Sequence, residues 1–299
     1  MPQLSAPIVS VVIPTYNHSD FLGRCLQSLV EQSYPHWEAI VVDNHSSDST
    51  DDVLRGFSES RIKVVKVHNF GVIGVSRDIG VSCAKGEFIA FLDSDDWWTP
   101  DKLKMSLDAL NSGADVVFHD LFIAKCFDQF IYKKKIRSTP PKHPMFQALL
   151  CNGMSIPNSS VVVRRDVLLK IGGISRNNDL VAVEDYDTWI RISRVTDRFI
   201  RLNKCLGYYW VGDTNMSKAS PAQIQRIKFL YSQYLGELSS WERRKAEGFL
   251  DYRVARIALR LGDFSTALSL FRRALLKPID MTYRLKASVF IVQILWQKS

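Results

Sequence analysis

Apolar positions along the chain follow two rhythms. Short, mostly apolar runs at residues 8–13, 38–42, 62–67 and 88–92 are bounded by turn-forming or polar residues and predict buried strands. Between them the spacing changes to three and four. Phe21, Leu22, Cys25, Leu26, Leu29 and Val30 make one helical stripe, Val53, Leu54 and Phe57 a second, and Leu103, Leu107 and Leu110 a third. Strands alternating with helices predict an open α/β sheet, largely parallel in this part of the chain. Ligands of such sheets sit at the carboxyl ends of the strands. Thr15, Tyr16, Asp43, Asn44 and Asp93 to Asp96 all follow strands there.

The second half reads differently. Residues 121–158 are irregular, with Lys133, Lys134 and Lys135 as a solvated charge run. Further strands are predicted at 159–163 and 206–210, and a short helix at 165–171, closed by Gly172 and Gly173. Glu184, Asp185, Tyr186 and Asp187 open a helix whose Trp189, Ile190 and Ile192 face the core. Acids at a helix start are commonly there for capping and the dipole. From about residue 221 the pattern is wholly helical and rich in Arg, Lys, Leu and Ala. Gly262, Asp263, Phe264, Ala267, Phe271 and Ala274 resemble one tetratricopeptide-type helix pair, read as an appendage because one repeat cannot stand alone. The last helix, 283–296, suits a core or a membrane surface, intramolecular packing being the commoner outcome.

The sharpest local feature is the run from Phe88 to Trp98. A buried strand opens directly into Asp93, Ser94, Asp95 and Asp96. Asp93 and Asp95 share one side of an extended chain, and carboxylates that close repel unless a cation or protons intervene. Hard oxygen ligands suit Mg²⁺ or Mn²⁺, which also bind phosphate. A solvated turn is the plainer alternative, with Thr99 as N-cap and Pro100 at the first helical position. Gly71 to Gly80 is a glycine-punctuated segment carrying Arg77, either a surface arginine or one that offsets diphosphate charge.

Composition narrows the partners. The net charge of +8 favours phosphorylated substrates or anionic membranes, and no nucleic-acid motif accompanies it. Five widely spaced cysteines without a Cys-x-x-Cys pair fit reduced, mostly buried thiols in a cytoplasmic protein. Neither a signal peptide nor a spanning helix is expected, and the histidines lack zinc spacing. Dinucleotide and Walker glycine fingerprints are missing.

Four segments in order, VSVVIPTYN at 9–17, VVDNHSSD at 41–48, GEFIAFLDSDD at 86–96, and Glu184-Asp185 ahead of Trp189 and Arg191, resemble the inverting glycosyltransferases of family 2. The resemblance implies a GT-A fold, a Rossmann-like nucleotide-diphospho-sugar transferase domain over residues 1–218, with a helical region over 219–299. It implies transfer of a sugar from a nucleotide-sugar donor to a hydroxyl of a glycan or lipid-linked acceptor, in cell-surface polysaccharide or glycolipid synthesis. Pro14, Thr15 and Tyr16 would line the nucleotide pocket, and Asp43 and Asn44 would face base and ribose. Arg77 and Ser94 would join them. Asp93 and Asp95 would hold Mn²⁺ or Mg²⁺, and Asp185 would be the catalytic base. Glu184, Trp189 and Trp210 would shape the acceptor side. Family members often carry a second acid where Asn44 stands, and Arg-Asn where Arg77-Asp78 stand. The expected location is cytoplasmic, with weak association at the cytoplasmic membrane face. A sugar-phosphate nucleotidyltransferase would also use sheet-end acids, but with a glycine- and lysine-rich loop where Pro14 to Asn17 stand. A non-catalytic nucleotide-sugar-binding or scaffold protein is the third alternative, opposed by the presence of Asp93, Asp95 and Asp185.

Overall fold

The computed structural model describes residues 8–127, 129, 131–212 and 219–296. By contacts the chain divides into two compact units. One draws on Met1–Pro141, Ser155–Asn177 and Arg191–Thr214, the other on Lys142–Met154, Asn178–Ile190 and Asn215–Ser299. The strands are β1 (Val9–Thr15), β2 (Trp37–Asp43), β3 (Ile62–Lys66), β4 (Phe88–Phe91), β5 (Trp97–Trp98), β6 (Val116–Ala124), β7 (Lys135–Ile136), β8 (Val162–Arg164) and β9 (Phe199–Trp210). The helices are α1 (Ser19–Val30), α2 (Thr50–Gly56), α3 (Ile73–Cys83), α4 (Lys102–Asn111), α5 (Met145–Asn152), α6 (Arg165–Lys170), α7 (Glu184–Ser193), α8 (Pro221–Tyr234), α9 (Ser240–Arg260), α10 (Phe264–Leu275) and α11 (Met281–Trp296).

In the first unit the strands form one sheet in the order β3-β2-β1-β4-β8-β6-β9-β5, with β7 on β6. The half built from alternating strands and helices is parallel: Val9 lies opposite both Trp37 and Phe88. Beyond β4 the sheet is mixed, since β8 runs antiparallel to β4 and β6 while β6 and β9 are parallel. Successive residues of β1 serve opposite faces. Val9, Val11 and Ile13 join Leu22, Cys25, Leu26 and Leu29 of α1 and Leu103, Leu107 and Leu110 of α4 in one core. Each such side chain contributes about 1.5–3 kcal/mol when fully buried. Val12 belongs to the other face, where α3 approaches closely. A Cβ on Gly80 would lie 2.4 Å from Val12 Cγ1, so only glycine admits α3 at this spacing.

Several sequence expectations change. β1 does not end with the apolar run at residue 13; it continues through Pro14 to Thr15, with Pro14 opposite Val42. The β1–β4 pairing has ended at Val12, so the missing N–H interrupts no ladder on that side. Thr99 does not cap α4. Its N–H donates to the Leu206 carbonyl, extending the β5–β9 pairing, and the helix starts at Lys102 after Asp101. β5, β7 and α5 fall where periodicity gave no signal, two of them being two-residue strands held by their neighbours. Cys25 and Cys151 are buried, whereas Cys83 and Cys126 are exposed, so the thiols are not mostly interior.

One interior group breaks the usual rule for charges. Lys102 is fully buried, with its Nζ 3.6 Å from the centroid of the Trp98 ring. Burial holds its pKa well below the ordinary value. His119, also fully buried, is pushed down to about 3 by burial and then by Lys102.

The second unit is helical. Ser239 and Glu242 form a reciprocal capping box at the start of α9. Gly262, at φ +78°, turns the chain, and the Asp263 side chain accepts the Thr266 N–H to start α10. Ala267, Phe271 and Ala274 of α10 are buried, and the Phe290 ring of α11 stacks on Phe271 at 5.4 Å. Only one side of α11 is packed, however. Ala287 and Ile294 are buried, while Leu285, Val289 and Val292 are exposed. Intramolecular packing therefore accounts for half of this helix.

Candidate active site

Strand order places the carboxyl ends of β2, β1 and β4 side by side. The loops leaving them are stitched together by short polar side chains. The Thr15 carbonyl accepts the Asn44 N–H at 3.0 Å. Asn17, at φ +50°, accepts the Ser47 N–H on Oδ1 at 2.8 Å and donates its own N–H to Ser46 Oγ at 2.9 Å. Asp43 is fully buried. Its Oδ1 accepts both the N–H and the hydroxyl of Ser46, and its Oδ2 meets the Lys66 ammonium at 2.7 Å. Thr15 is buried too, whereas Tyr16 is 54% exposed and presents its ring outward. Asn44 Oδ1 accepts the Asn69 N–H at 2.8 Å. The amide oxygen is therefore turned inward, and its NH₂ is the end left to meet a ligand. Beside it the His45 and His68 rings stack at 3.8 Å.

After β4 the acids separate into three roles. The Arg77 guanidinium donates to Asp93 Oδ1 at 2.6 Å, and Asn158 Nδ2 reaches the same oxygen at 3.2 Å. The Asp93 N–H donates to Ser159 Oγ at 3.1 Å. Asp93 is thus fixed with one oxygen committed inward. Asp95 is mostly buried; burial, then the charge of Asp93, raises its carboxyl to about 7. Asp96 turns into the protein, where its Oδ1 accepts the Trp210 N–H at 2.9 Å. Burial, followed by Asp95 and Asp93, raises it well above the carboxylate range, and its bond to β9 gives it a structural role. Ser94 is buried, and its Oγ pairs with His18 Nδ1 at 2.8 Å.

Among the described residues no cluster of three or more His, Cys, Asp or Glu side chains forms a metal cage. Two neighbouring carboxyls, one with its pKa lifted by burial and then by the other, instead fit a divalent cation that completes its shell with substrate oxygens. Asp78, the departure from the family pattern, faces elsewhere. It accepts the Ile174 N–H at 2.9 Å and pairs with Arg176, so its charge is used to hold the loop after α6.

Sequence reading missed His18, Asn69, Asn158 and Ser159. The signal for the last two was legible: a polar Asn-Ser-Ser triplet directly ahead of the apolar run that becomes β8. Trp210 is expected on the acceptor side, but it is nearly buried, its ring 5.1 Å from Phe21 and 4.9 Å from Phe127.

Glu184, Asp185 and Trp189 belong to the second unit. They start α7, behind Ala182 at φ +63°. Glu184 and Trp189 are 3% and 1% exposed, which suits support of α7 rather than a face for an acceptor. Asp187 is also buried, and its Oδ1 accepts the Tyr234 hydroxyl of α8. Tyr186 donates to the Leu149 carbonyl of α5 and lies under the Arg253 guanidinium at 5.0 Å. Asp185 remains partly exposed, its Oδ1 accepting the Tyr186 N–H at 2.7 Å.

Residues 10–172 match glycosyl transferase family 2. That is more than half of the chain, and the chain belongs to this family: it is a glycosyltransferase. TuaG of Bacillus subtilis, a putative teichuronic acid biosynthesis glycosyltransferase, is 28% identical over 229 residues, covering 76% of this chain and 88% of TuaG. WfgD of Escherichia coli, a UDP-Glc:α-D-GlcNAc-diphosphoundecaprenol β-1,3-glucosyltransferase, is 37% identical over 103 residues, covering 34% of this chain and 41% of WfgD. Among solved structures, TarS of S. aureus superposes with a TM-score of 0.60 at 19% identity, covering 96% of this chain and 80% of the TarS chain. The mannosyltransferase PcManGT of Pyrobaculum calidifontis, in complex with GDP-Man and Mn²⁺, gives 0.61 at 19% identity, covering 98% of this chain and 88% of its own. These likenesses establish the GT-A fold.

Proposed function

We propose that the chain transfers a sugar from a nucleoside-diphosphate donor to a hydroxyl acceptor with inversion, with residues 1–218 as the transferase domain. The observation that carries this is the acid loop after β4. Asp93 is fixed by Arg77 and Asn158, and beside it Asp95 has a carboxyl raised to about 7. The relative crystallised with GDP-Man and Mn²⁺ supports the same use of a cation. Mn²⁺ or Mg²⁺, held by Asp93 and Asp95, would neutralise charge on the departing diphosphate. Pro14, Thr15, Tyr16, Asp43, Asn44 and Ser94 shape the nucleotide side. Arg77 acts there through Asp93, whose carboxylate it orients.

Asp185 is the proposed base. Its carboxylate takes the acceptor hydroxyl proton as that oxygen bonds to the anomeric carbon, while the bond from that carbon to the diphosphate breaks on the opposite face. With one base and no protein nucleophile, configuration inverts. The names of TuaG and WfgD support cell-surface polysaccharide or lipid-linked glycan synthesis, and hence work at the cytoplasmic face of a membrane.

Calorimetry with UDP, GDP and dTDP, each with and without Mn²⁺, tests the donor site. One nucleotide binds at least about tenfold more tightly with the cation. Equal affinity with and without Mn²⁺ for every nucleotide overturns the reading.

A further inference from the structure

The exposed side of α11 is apolar at i, i+4, i+8, i+11 and i+14: Met281, Leu285, Val289, Val292 and Leu295 are 67, 63, 55, 65 and 44% exposed. This spacing draws a continuous stripe along a helix about 24 Å long. Leu276, in the turn after α10, is 80% exposed as well. No helix of the described structure is long and apolar enough to cross a membrane, so the stripe is a surface feature.

Charge says what covers it. Residues 219–299 hold 14 Lys and Arg against 6 Asp and Glu, while residues 1–218 hold 25 of each. The whole +8 of the chain therefore lies in the helical region. Five of its six acids are used internally: Glu242 and Asp263 cap helices, and Glu247, Asp251 and Asp280 pair with Arg243, Arg273 and Lys245. Arg244, Arg260, Arg272 and Lys286 are exposed, and none makes an ion pair among the described residues. An apolar stripe on a helical region that carries the whole excess of positive charge, with Lys286 on the same helix, suits a partner with an anionic surface and an apolar interior. A second copy would bring like charge against like charge.

We propose that the outward face of α11, with Lys286 on the same helix and the net positive charge of the helical region, docks on an anionic lipid bilayer. This deepens the reading of membrane-face glycan synthesis, yet it depends on none of the transfer residues. The stripe enters the acyl boundary while Lys286 meets lipid phosphates.

The test is co-sedimentation of the full chain with vesicles of phosphatidylcholine alone or mixed with phosphatidylglycerol, over a salt series. Wild type is expected to pellet only with the anionic vesicles, and binding falls as salt rises. Val289→Asp and, separately, Lys286→Glu each weaken partition by about tenfold, with unchanged melting temperature. Donor hydrolysis without vesicles is the same in both variants, which separates this proposal from the transferase reading. Equal pelleting of Val289→Asp and wild type, no pelleting with anionic vesicles, or a dimer in sedimentation that Val289→Asp dissolves would each overturn it.

Discussion

The guanidinium of Arg77 donates to Asp93 Oδ1 at 2.6 Å, with Arg77 5% exposed. One buried cation thus sets the orientation of the first acid after β4. Arg77→Gln removes that charge and leaves Asp93 beside Asp95 without its partner. Nucleotide affinity in the presence of Mn²⁺ is expected to fall about tenfold, and stability by about 1–3 kcal/mol. Calorimetry together with denaturant unfolding checks both.

The neighbouring acids Asp95 and Asp96 are expected to respond in opposite ways to the same change. Asp96, whose carboxyl burial raises well above the ordinary range, accepts the Trp210 N–H through Oδ1, a bond that an asparagine oxygen reproduces. Asp96→Asn is therefore expected to keep Mn²⁺-dependent nucleotide binding and to shift stability by less than about 1 kcal/mol. Asp95→Asn removes a proposed cation ligand, and Mn²⁺ is expected no longer to improve nucleotide affinity. Titrations of the two variants side by side distinguish the roles.

Lys102 gives a stability prediction with a definite sign. Burial drives its pKa well below the 10.5 of a free lysine. Between those two values the unfolded chain binds a proton that the folded chain refuses, so stability rises as pH climbs toward 10.5. Lys102→Met fills the same space over Trp98 without a titrating group. It is expected to raise stability by about 1–3 kcal/mol near neutral pH, and the gap shrinks as the buffer approaches the free-lysine pKa. Urea unfolding at neutral and at alkaline pH measures it.

What the sequence made legible follows from which forces act locally. The parallel half of the sheet and α1, α2 and α4 were readable because apolar spacing and strand burial belong to neighbouring residues, whereas α3 lies in a segment marked only by its glycines. The acid run from Asp93 to Asp96 at the end of β4 was readable for the same reason. The roles within it were not. That Arg77 spends its charge on Asp93, that Asp96 clamps β9 at Trp210, and that Asn69 holds the Asn44 amide oxygen are contacts between residues 16, 114 and 25 positions apart. Pattern reading also missed β5 and β7, which are strands only because β9 and β6 supply their partners. It left α11 undecided because apolar residues lie on both of its sides, and only the packing of α10 shows which side is inward.

The most direct test of the account is Asp185→Asn, measured for turnover, nucleotide affinity and melting temperature together. Asparagine keeps the size of the side chain and its bond to the Tyr186 N–H but cannot take the acceptor proton. The account predicts turnover lower by about 10²–10⁴, with nucleotide affinity and melting temperature unchanged. Asp187→Asn is the control, because Asp187 accepts the Tyr234 hydroxyl and its loss is expected to cost about 1 kcal/mol of stability with turnover per folded molecule retained. A folded Asp185→Asn protein with near-normal turnover would contradict the assignment of Asp185 as the base.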